Sequence, residues 1–168
     1  MNYFAYGSNL CTNRLRRRNV SSAVFVAIGS LPEYILRFHK RSNDGSGKCN
    51  AFYTGKEADK VIGVIYEIDP VEKKWLDDAE GLDRGYQEDV VDIRTQEAAL
   101  RCFTYIAEGS YIDDSLKPYD WYHDIVVAGA REQNLPKSYI QATILSVESV
   151  PDADVQRDTR ERRCLAGS

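Results

Sequence analysis

Short apolar runs and polar turns alternate through the N-terminal part of the chain. Residues 2–6 mix aromatic and small side chains and stop at Gly7, which is typical of a strand followed by a turn. A short helix is predicted over residues 10–18, with Ser8 or Asn9 as its N-cap. The predicted order at this end of the chain is therefore strand, turn and helix.

The middle of the chain is mostly strand in its pattern. Segments rich in apolar and β-branched residues predict strands at 23–28, 34–39, 51–54, 61–68, 86–94 and 100–106. Gly and Asn residues in segment 42–48 predict a flexible connection, and a polar turn at 95–98 predicts that the last two strands form a hairpin. Asp69-Pro70 suits the start of a helix, which we expect over residues 71–79.

The hydrophobic period changes in the C-terminal third. From residue 119 the apolar side chains, among them Trp121 and Ile125, fall at helical spacing, and Pro136 breaks this pattern before a second helix from about residue 137. Beyond residue 151 the chain is polar and charged without periodicity, so a frayed or extended tail is expected. The predicted organisation is one domain over residues 1–150 and a polar C-terminal tail over residues 151–168.

Strands come first along the chain and helices later, without strict alternation. This order favours an α+β domain over a doubly wound parallel sheet. The length of 168 residues suits a single domain. The pattern alone leaves open whether the predicted strands close into a small barrel or form an open sheet.

Composition and charge exclude several classes of protein. The net charge of −4 argues against a general nucleic-acid binder, although Arg14, Arg16, Arg17 and Arg18 form a local basic cluster, which we interpret as a solvated helix face. No apolar run approaches the roughly 20 residues that cross a bilayer, and no secretory signal is recognised. The expected partner is thus a small molecule, with no nucleic acid and no membrane.

Cysteine and histidine usage argues against a metal site. The four cysteines stand far apart, with no pair at the spacing of a zinc or redox motif. His39 and His123 lie in different segments, and neither has a second ligand nearby. We therefore expect no metal and no cofactor, and reduced thiols in a cytoplasmic protein.

Two segments carry residues suited to chemistry. Residues 7–10 form a turn before a helix, where free backbone N–H groups suit an anion, and a plain helix cap is the alternative. Residues 76–82 end a helix with three carboxylates, which are unfavourable near the negative end of the helix dipole. Asp77 and Asp78 are expected to face water. Glu80 precedes Gly81, which could turn the chain into the interior, and a solvated Glu80 is the alternative.

Three segments taken together resemble the gamma-glutamylcyclotransferase family. Residues 4–10 (FAYGSNL) are similar to the family's signature, residues 76–81 (LDDAEG) to the motif that carries its catalytic glutamate, and residues 122–139 to its late helix and Leu-Pro break. The similarity spans roughly residues 2–147 and leaves the tail outside. It implies an α+β fold built on a small mixed β-barrel with flanking helices, with a pocket at one barrel end.

The resemblance also implies an activity and a site. Family members convert a gamma-glutamyl amino acid or amine to 5-oxoproline and the free amine, by attack of the substrate's own α-amine on its γ-carbonyl. Glu80 is the implied general acid and base. The implied substrate-binding residues are Tyr6, Gly7, Ser8, Asn9, Leu10, Tyr105 and Tyr122. Whether Tyr86 reaches the pocket stays open, because the segment between Glu80 and Tyr86 is slightly shorter than in the vertebrate-type enzymes.

Two other functions stay open. One is removal of a gamma-glutamyl protecting group from a biosynthetic intermediate, and the other is a non-catalytic protein of the same fold that binds a small ligand. The presence of Glu80 argues against the second. The sequence also leaves the oligomeric state open, with a homodimer as one expectation.

Overall fold

The computed structural model describes residues 1–165, and they contain seven strands and five α-helices. The strands are β1 (Asn2–Ala5), β2 (Val24–Pro32), β3 (Tyr34–Arg41), β4 (Gly47–Tyr53), β5 (Lys60–Glu67), β6 (Tyr86–Arg94) and β7 (Ala99–Ala107). The helices are α1 (Thr12–Arg17), α2 (Lys73–Glu80), α3 (Asp120–Glu132), α4 (Lys137–Tyr139) and α5 (Val155–Arg162). Short 3-10 turns at Ser8–Leu10 and Gly109–Tyr111 and a π-helical turn at Ile140–Ile144 complete the secondary structure of this part of the chain.

Five strands close into a barrel in the order β1-β5-β2-β6-β7. β1 and β7 run parallel where Tyr3 pairs with Phe103, and the other neighbours run antiparallel, so the barrel is mixed. The predicted α+β class with a small mixed barrel and flanking helices is confirmed. The predicted β6–β7 hairpin is confirmed as well.

Not all of the strands enter the barrel, because β3 and β4 form a separate two-stranded sheet. The turn between them is tight: the amide of Ser42 donates to the carbonyl of Ser46 at 3.1 Å, and the Asp44 carboxylate accepts from the Ser46 amide at 3.0 Å. β4 then starts at Gly47, so the connection is shorter than the predicted 42–48, and residues 47–48 belong to a strand. Gly and Asn residues mark a turn here because they allow its backbone conformation, and hydrogen bonds to Asp44 close it.

Helix α3 joins the barrel to the segment that follows β1. Its apolar residues recur at helical spacing, and Ile125 packs in the same core cluster as Phe4 of β1 and Ile65 of β5. A Cβ atom at Gly129 would lie 2.4 Å from the backbone nitrogen of Cys11, so α3 touches the main chain beyond β1 directly. The helix therefore fixes the position of the turn at Ser8–Leu10. No helix among residues 1–165 has the length and apolarity needed to cross a bilayer.

The C-terminal segment is folded onto the domain. Helix α5 occupies Val155–Arg162, so the prediction of a frayed or extended tail is wrong there, and residues 166–168 lie outside the described residues. The Asp154 carboxylate caps the helix by accepting from the Arg157 amide at 2.9 Å. The buried carboxylate of Asp152 accepts from the Arg157 guanidinium at 2.6 Å and from the Trp121 indole at 2.9 Å. Ion pairs rather than an apolar stripe anchor this helix, which is why the hydrophobic pattern did not predict it.

Replacing Asp152 by Asn is expected to lower the Tm at pH 7 by several degrees, because Asn keeps the shape and loses the charge-assisted bonds. The Arg157 guanidinium holds the pKa of the Asp152 carboxyl well below its usual range. A carboxyl with a lowered pKa in the folded state stabilises the fold above its unfolded pKa of about 3.9 and loses that effect as the pH falls through the folded-state value.

The Tm difference between wild type and Asp152→Asn should therefore be full at pH 7 and shrink below about pH 4. Thermal melts across this range measure it. Asp158→Asn is the matched control, since it makes the same charge change in a partly exposed pair with Arg162 on α5. Equal melting of wild type and Asp152→Asn at pH 7 would contradict the prediction.

Candidate active site

A small inner cavity, of about 30 Å³, lies where β1, β7, α2 and α3 meet. It brings together residues from all three sequence segments that carry the resemblance. The lining residues are Tyr3, Tyr6, Gly7, Ser8, Asn9, Cys49, Glu80, Tyr86, Tyr105 and Tyr122. Leu10 is the one residue of the predicted set that does not line it. Its side chain is buried, its amide donates to the carbonyl of Gly7 at 3.0 Å, and its carbonyl accepts from the Tyr66 hydroxyl at 3.1 Å. Leu10 thus supports the loop from the core side.

Glu80 is the last residue of α2 and points into the cavity. Gly81 ends the helix in the left-handed conformation with a φ of 71°, which glycine adopts without steric cost. The Glu80 side chain is 15% exposed, and its Oε1 accepts from the Asn9 Nδ2 at 2.8 Å and from the Arg18 guanidinium. The carboxylate is therefore held inside, and the alternative of a solvated Glu80 does not fit its position.

Asn9 links the first loop to this carboxylate. Its amide nitrogen also donates to the Tyr3 hydroxyl at 2.8 Å, and its amide oxygen accepts from Arg18 at 2.7 Å. Because both ends of the amide are engaged, Asn9 has one orientation, in which a donor faces Glu80. The amides of Ser8 and Asn9 stand at the start of the 3-10 turn, so they have no acceptor within it.

The arginine cluster divides into two faces of α1. The side chains of Arg14 and Arg18 are only 13% and 16% exposed, and each pairs with a carboxylate, whereas Arg16 and Arg17 are exposed. The interpretation of a solvated helix face is therefore wrong for Arg14 and Arg18. Their spacing of four residues places both on the helix face that meets the cavity, and this spacing is the signal that could have identified Arg18.

Tyrosines form half of the cavity wall. Tyr86 does reach the cavity, and its hydroxyl donates to the carbonyl of Cys49 at 2.5 Å. The Tyr122 hydroxyl accepts from the amide of Cys49 at 3.1 Å, and the Tyr6 hydroxyl donates to the carbonyl of Tyr105. Burial raises the pKa of Tyr6, Tyr86 and Tyr122 well above the ordinary value, so their phenols stay neutral at physiological pH.

Tyr105 presents its ring to the cavity and directs its hydroxyl elsewhere. The hydroxyl lies 2.6 Å from Asp77 Oδ1, and Lys73 contacts the same carboxylate at 2.7 Å. Asp77 is 22% exposed, so the expectation that it faces water is wrong. Tyr3 and Cys49, which also line the cavity, lie outside all three motifs and carry no signal of their own in the sequence.

A second, wider cleft of about 380 Å³ adjoins the inner cavity. The two share the residues Ser8, Glu80, Tyr86 and Tyr122. The cleft's remaining walls are rich in charged side chains from α1, β3, β4, the segment after α2, and α5. Glu80 therefore lines both the aromatic inner cavity and the wider, charged outer cleft. Among residues 1–165, no group of three or more His, Cys, Asp or Glu side chains is placed to hold a metal ion.

Comparisons with known proteins identify relatives of this chain. The AIG2-like family matches residues 60–142. The gamma-glutamylcyclotransferase of Homo sapiens is 33% identical over 146 residues, which cover 82% of this chain and 73% of that protein. The gamma-glutamylcyclotransferase of Bos taurus is 33% identical over 155 residues, covering 87% of this chain and 78% of that protein.

The fold is similar to solved structures over nearly its whole length. A structure named gamma-glutamyl cyclotransferase has a TM-score of 0.83 and 26% sequence identity to this chain, and the match covers 97% of this chain and 98% of that one. Identity above 30% over most of both sequences, together with this fold, is sufficient to assign a family. The chain belongs to the gamma-glutamylcyclotransferase family of enzymes.

Proposed function

We propose that this protein converts a gamma-glutamyl amino acid or amine to 5-oxoproline and the free amine, with Glu80 as general acid and base. The observation that carries the proposal is the position of Glu80, held by Asn9 at the boundary between the inner cavity and the outer cleft. The inner cavity is the proposed place of the gamma-glutamyl group, because Glu80 and the loop residues Gly7, Ser8 and Asn9 all line it. The outer cleft suits whatever is attached to the γ-nitrogen.

The reaction needs a base and then an acid at one place. The α-ammonium of the substrate gives a proton to the Glu80 carboxylate, and the resulting amine attacks the γ-carbonyl carbon to form the ring C–N bond. The tetrahedral intermediate then expels the leaving nitrogen, which takes the proton from Glu80 as the original C–N bond breaks. The ring nitrogen gives its extra proton to the regenerated Glu80 carboxylate, which passes it to the released amine, so the products are neutral 5-oxoproline and an ammonium. No water enters, and no enzyme nucleophile is required because the substrate carries its own.

Positioning contributes the other part of the rate. Holding the α-amine and the γ-carbonyl in contact can supply up to about 7 to 11 kcal/mol in favourable intramolecular cases. The neutral tyrosines exclude water around the ring-closing atoms, and the amides of Ser8 and Asn9 are the proposed donors to the substrate carboxylate or the developing oxyanion. Gly7 brings the loop close to the opposite wall, since a Cβ there would lie 2.9 Å from the Cβ of Cys49.

The position of Glu80 and the shape of the outer cleft also bear on the two alternative functions. A Glu80 carboxylate aimed into the cavity argues against a non-catalytic binding protein. The wide outer cleft leaves removal of a gamma-glutamyl group from a larger intermediate as the second candidate function.

The four cysteines bear on the location of the protein. Cys11, Cys49, Cys102 and Cys164 are free and buried, which supports a cytoplasmic location. A homodimer stays a prediction.

Release of 5-oxoproline from a panel of gamma-glutamyl amino acids, gamma-glutamyl amines and glutathione tests the proposal. We expect 5-oxoproline and free amine in equal amounts from at least one class, without free glutamate. Glutamate as the product would indicate hydrolysis and contradict the mechanism, and the absence of any product across the panel would contradict the activity on these substrates.

A further inference from the structure

Lys40 is a buried lysine whose charge is not matched by a carboxylate. It lies in β3 with 7% of its surface exposed, and it lines the outer cleft. Its ammonium lies 4.5 Å from the ring centroid of Tyr86 and 5.7 Å from that of Tyr111. Among residues 1–165 it makes no ion pair. Aromatic faces stabilise a cation only in part, and a buried charge without an anion is costly.

Four other cations that line the same cleft are each paired with a carboxylate. Arg18 contacts Glu80, Lys48 lies 2.7 Å from Asp44, Arg14 lies 3.1 Å from Glu161, and Arg157 lies 2.6 Å from Asp152. Each of these side chains has its charge balanced within the protein. Lys40 is the buried cation of this cleft, within the described residues, that is left to bind an anion from outside.

The backbone beside Lys40 makes room for its ammonium. A Cβ atom at Gly85 would lie 2.7 Å from the Lys40 Cε and 2.8 Å from its Nζ, so any other residue there would displace the charged end. Gly85 has a φ of 128°, a conformation that side-chain-bearing residues rarely adopt. The strand β6 that follows carries Tyr86, whose ring centroid lies 4.5 Å from the ammonium. Both features hold the charge at one place in the cleft wall.

Lys40 is also electrostatically close to the reacting centre. Burial lowers the pKa of Lys40, and the negative charge of Glu80 opposes that shift more than the charges of Asp44 and Glu108 do. An anion in the cleft would favour the ammonium further. The proposed function places the gamma-glutamyl part in the inner cavity, and the group attached to the γ-nitrogen then lies in this cleft during the reaction.

We propose that Lys40 forms a subsite for a carboxylate on the leaving side of the substrate, attached to the carbon that bears the γ-nitrogen or further out. The inference rests on the proposed function and adds a substrate class to it. Leaving groups that are amino acids or peptides carry such a carboxylate, whereas simple amines do not. The protein therefore selects gamma-glutamyl amino acids and peptides over gamma-glutamyl amines, and Lys40 is a specificity-determining residue.

Two substrates that differ in one carboxylate test this subsite. Gamma-glutamyl-alanine and gamma-glutamyl-ethylamine are matched, since the second has hydrogen where the first has the carboxylate. We expect the wild type to prefer gamma-glutamyl-alanine in kcat/KM by about 10- to 100-fold, the range for a hydrogen bond to a charged group. Lys40→Met keeps the length of the side chain and removes the charge, so it should bring the two substrates near parity by lowering kcat/KM for gamma-glutamyl-alanine alone.

Controls separate this inference from folding and from the proposed function. The ratio of the two kcat/KM values is independent of the folded fraction of a preparation, and Lys40→Gln gives a second measurement of it. Lys74→Met makes the same charge change on the exposed face of α2 and should keep the wild-type ratio. Turnover of both substrates at equal rates by the wild type, or an equal loss on both in Lys40→Met, would overturn the subsite and leave the reaction standing. Failure of the wild type on the whole gamma-glutamyl panel would instead overturn the reaction.

Discussion

Replacing Glu80 by Gln is expected to lower kcat for 5-oxoproline release by about 10²- to 10⁴-fold, the range for loss of a general acid or base. Gln keeps the shape of the side chain and can still accept the hydrogen bond from Asn9 Nδ2, which lies 2.8 Å from Glu80 Oε1. It cannot take the proton of the α-ammonium, so the attacking amine no longer forms next to the carbonyl. The KM should change far less than kcat, because the cavity walls are unchanged.

The measurement is steady-state kinetics on a substrate that the wild type uses well. Glu97→Gln is the matched control, since it makes the same chemical change at an exposed position in the turn between β6 and β7. We expect wild-type kinetics from it. Turnover by Glu80→Gln within a few-fold of the wild type would show that another group moves the proton, and the assignment of Glu80 would then fail.

Replacing Arg18 by Met is expected to destabilise the fold by about 3 kcal/mol, because removal of one partner leaves a largely buried charge unpaired. The Glu80 carboxylate would keep only the bond from Asn9, and Asn9 would lose the donor to its amide oxygen. The carboxylate should then lose its fixed orientation, so kcat should fall as well. Urea unfolding at pH 7 measures the first effect and turnover measures the second.

A double-mutant cycle identifies the pair as the cause. In Arg18→Met/Glu80→Gln no charge is left without a partner, so the double variant should be more stable than the sum of the two single changes indicates. Arg16→Met removes the same charge from the exposed face of α1 and should leave stability and turnover unchanged. Additive free energies of unfolding in the cycle would show that Arg18 and Glu80 do not interact as the structure indicates.

Local sequence patterns predicted most of the helices and strands. Apart from one hairpin, they did not predict which strands pair, because pairing depends on contacts between distant parts of the chain. The β6 prediction of 86–94 coincides with the observed Tyr86–Arg94, because the β-branched residues Val90, Val91 and Ile93 and the polar turn after them mark a hairpin within one segment. The same rules could not show that β3 and β4 leave the barrel. Barrel closure depends on β1 meeting β7, and those strands lie about a hundred residues apart.

The site residues also divide into those that the sequence could predict and those that it could not. Motif residues such as Asn9 and Glu80 could be proposed from the sequence because they resemble a family's pattern. Arg18 contacts both, yet it belongs to a run of arginines that is ordinary for a solvated helix. Its burial depends on where α1 lies against α2, and that position is set by tertiary packing. Asp152 and Arg157 were missed for a related reason, since a helix anchored by ion pairs has no hydrophobic period.

The indole of Trp121 gives this protein a built-in optical signal for ligand binding. Trp121 lines the outer cleft, with the Lys48 ammonium 4.3 Å from its ring, while the second of the two tryptophans, Trp75, is 43% exposed on α2. A Trp75→Phe background would therefore leave a single fluorophore at the cleft wall, whose emission responds to a change of charge beside it. Combined with Glu80→Gln, it allows substrate affinity to be titrated by fluorescence in the absence of turnover.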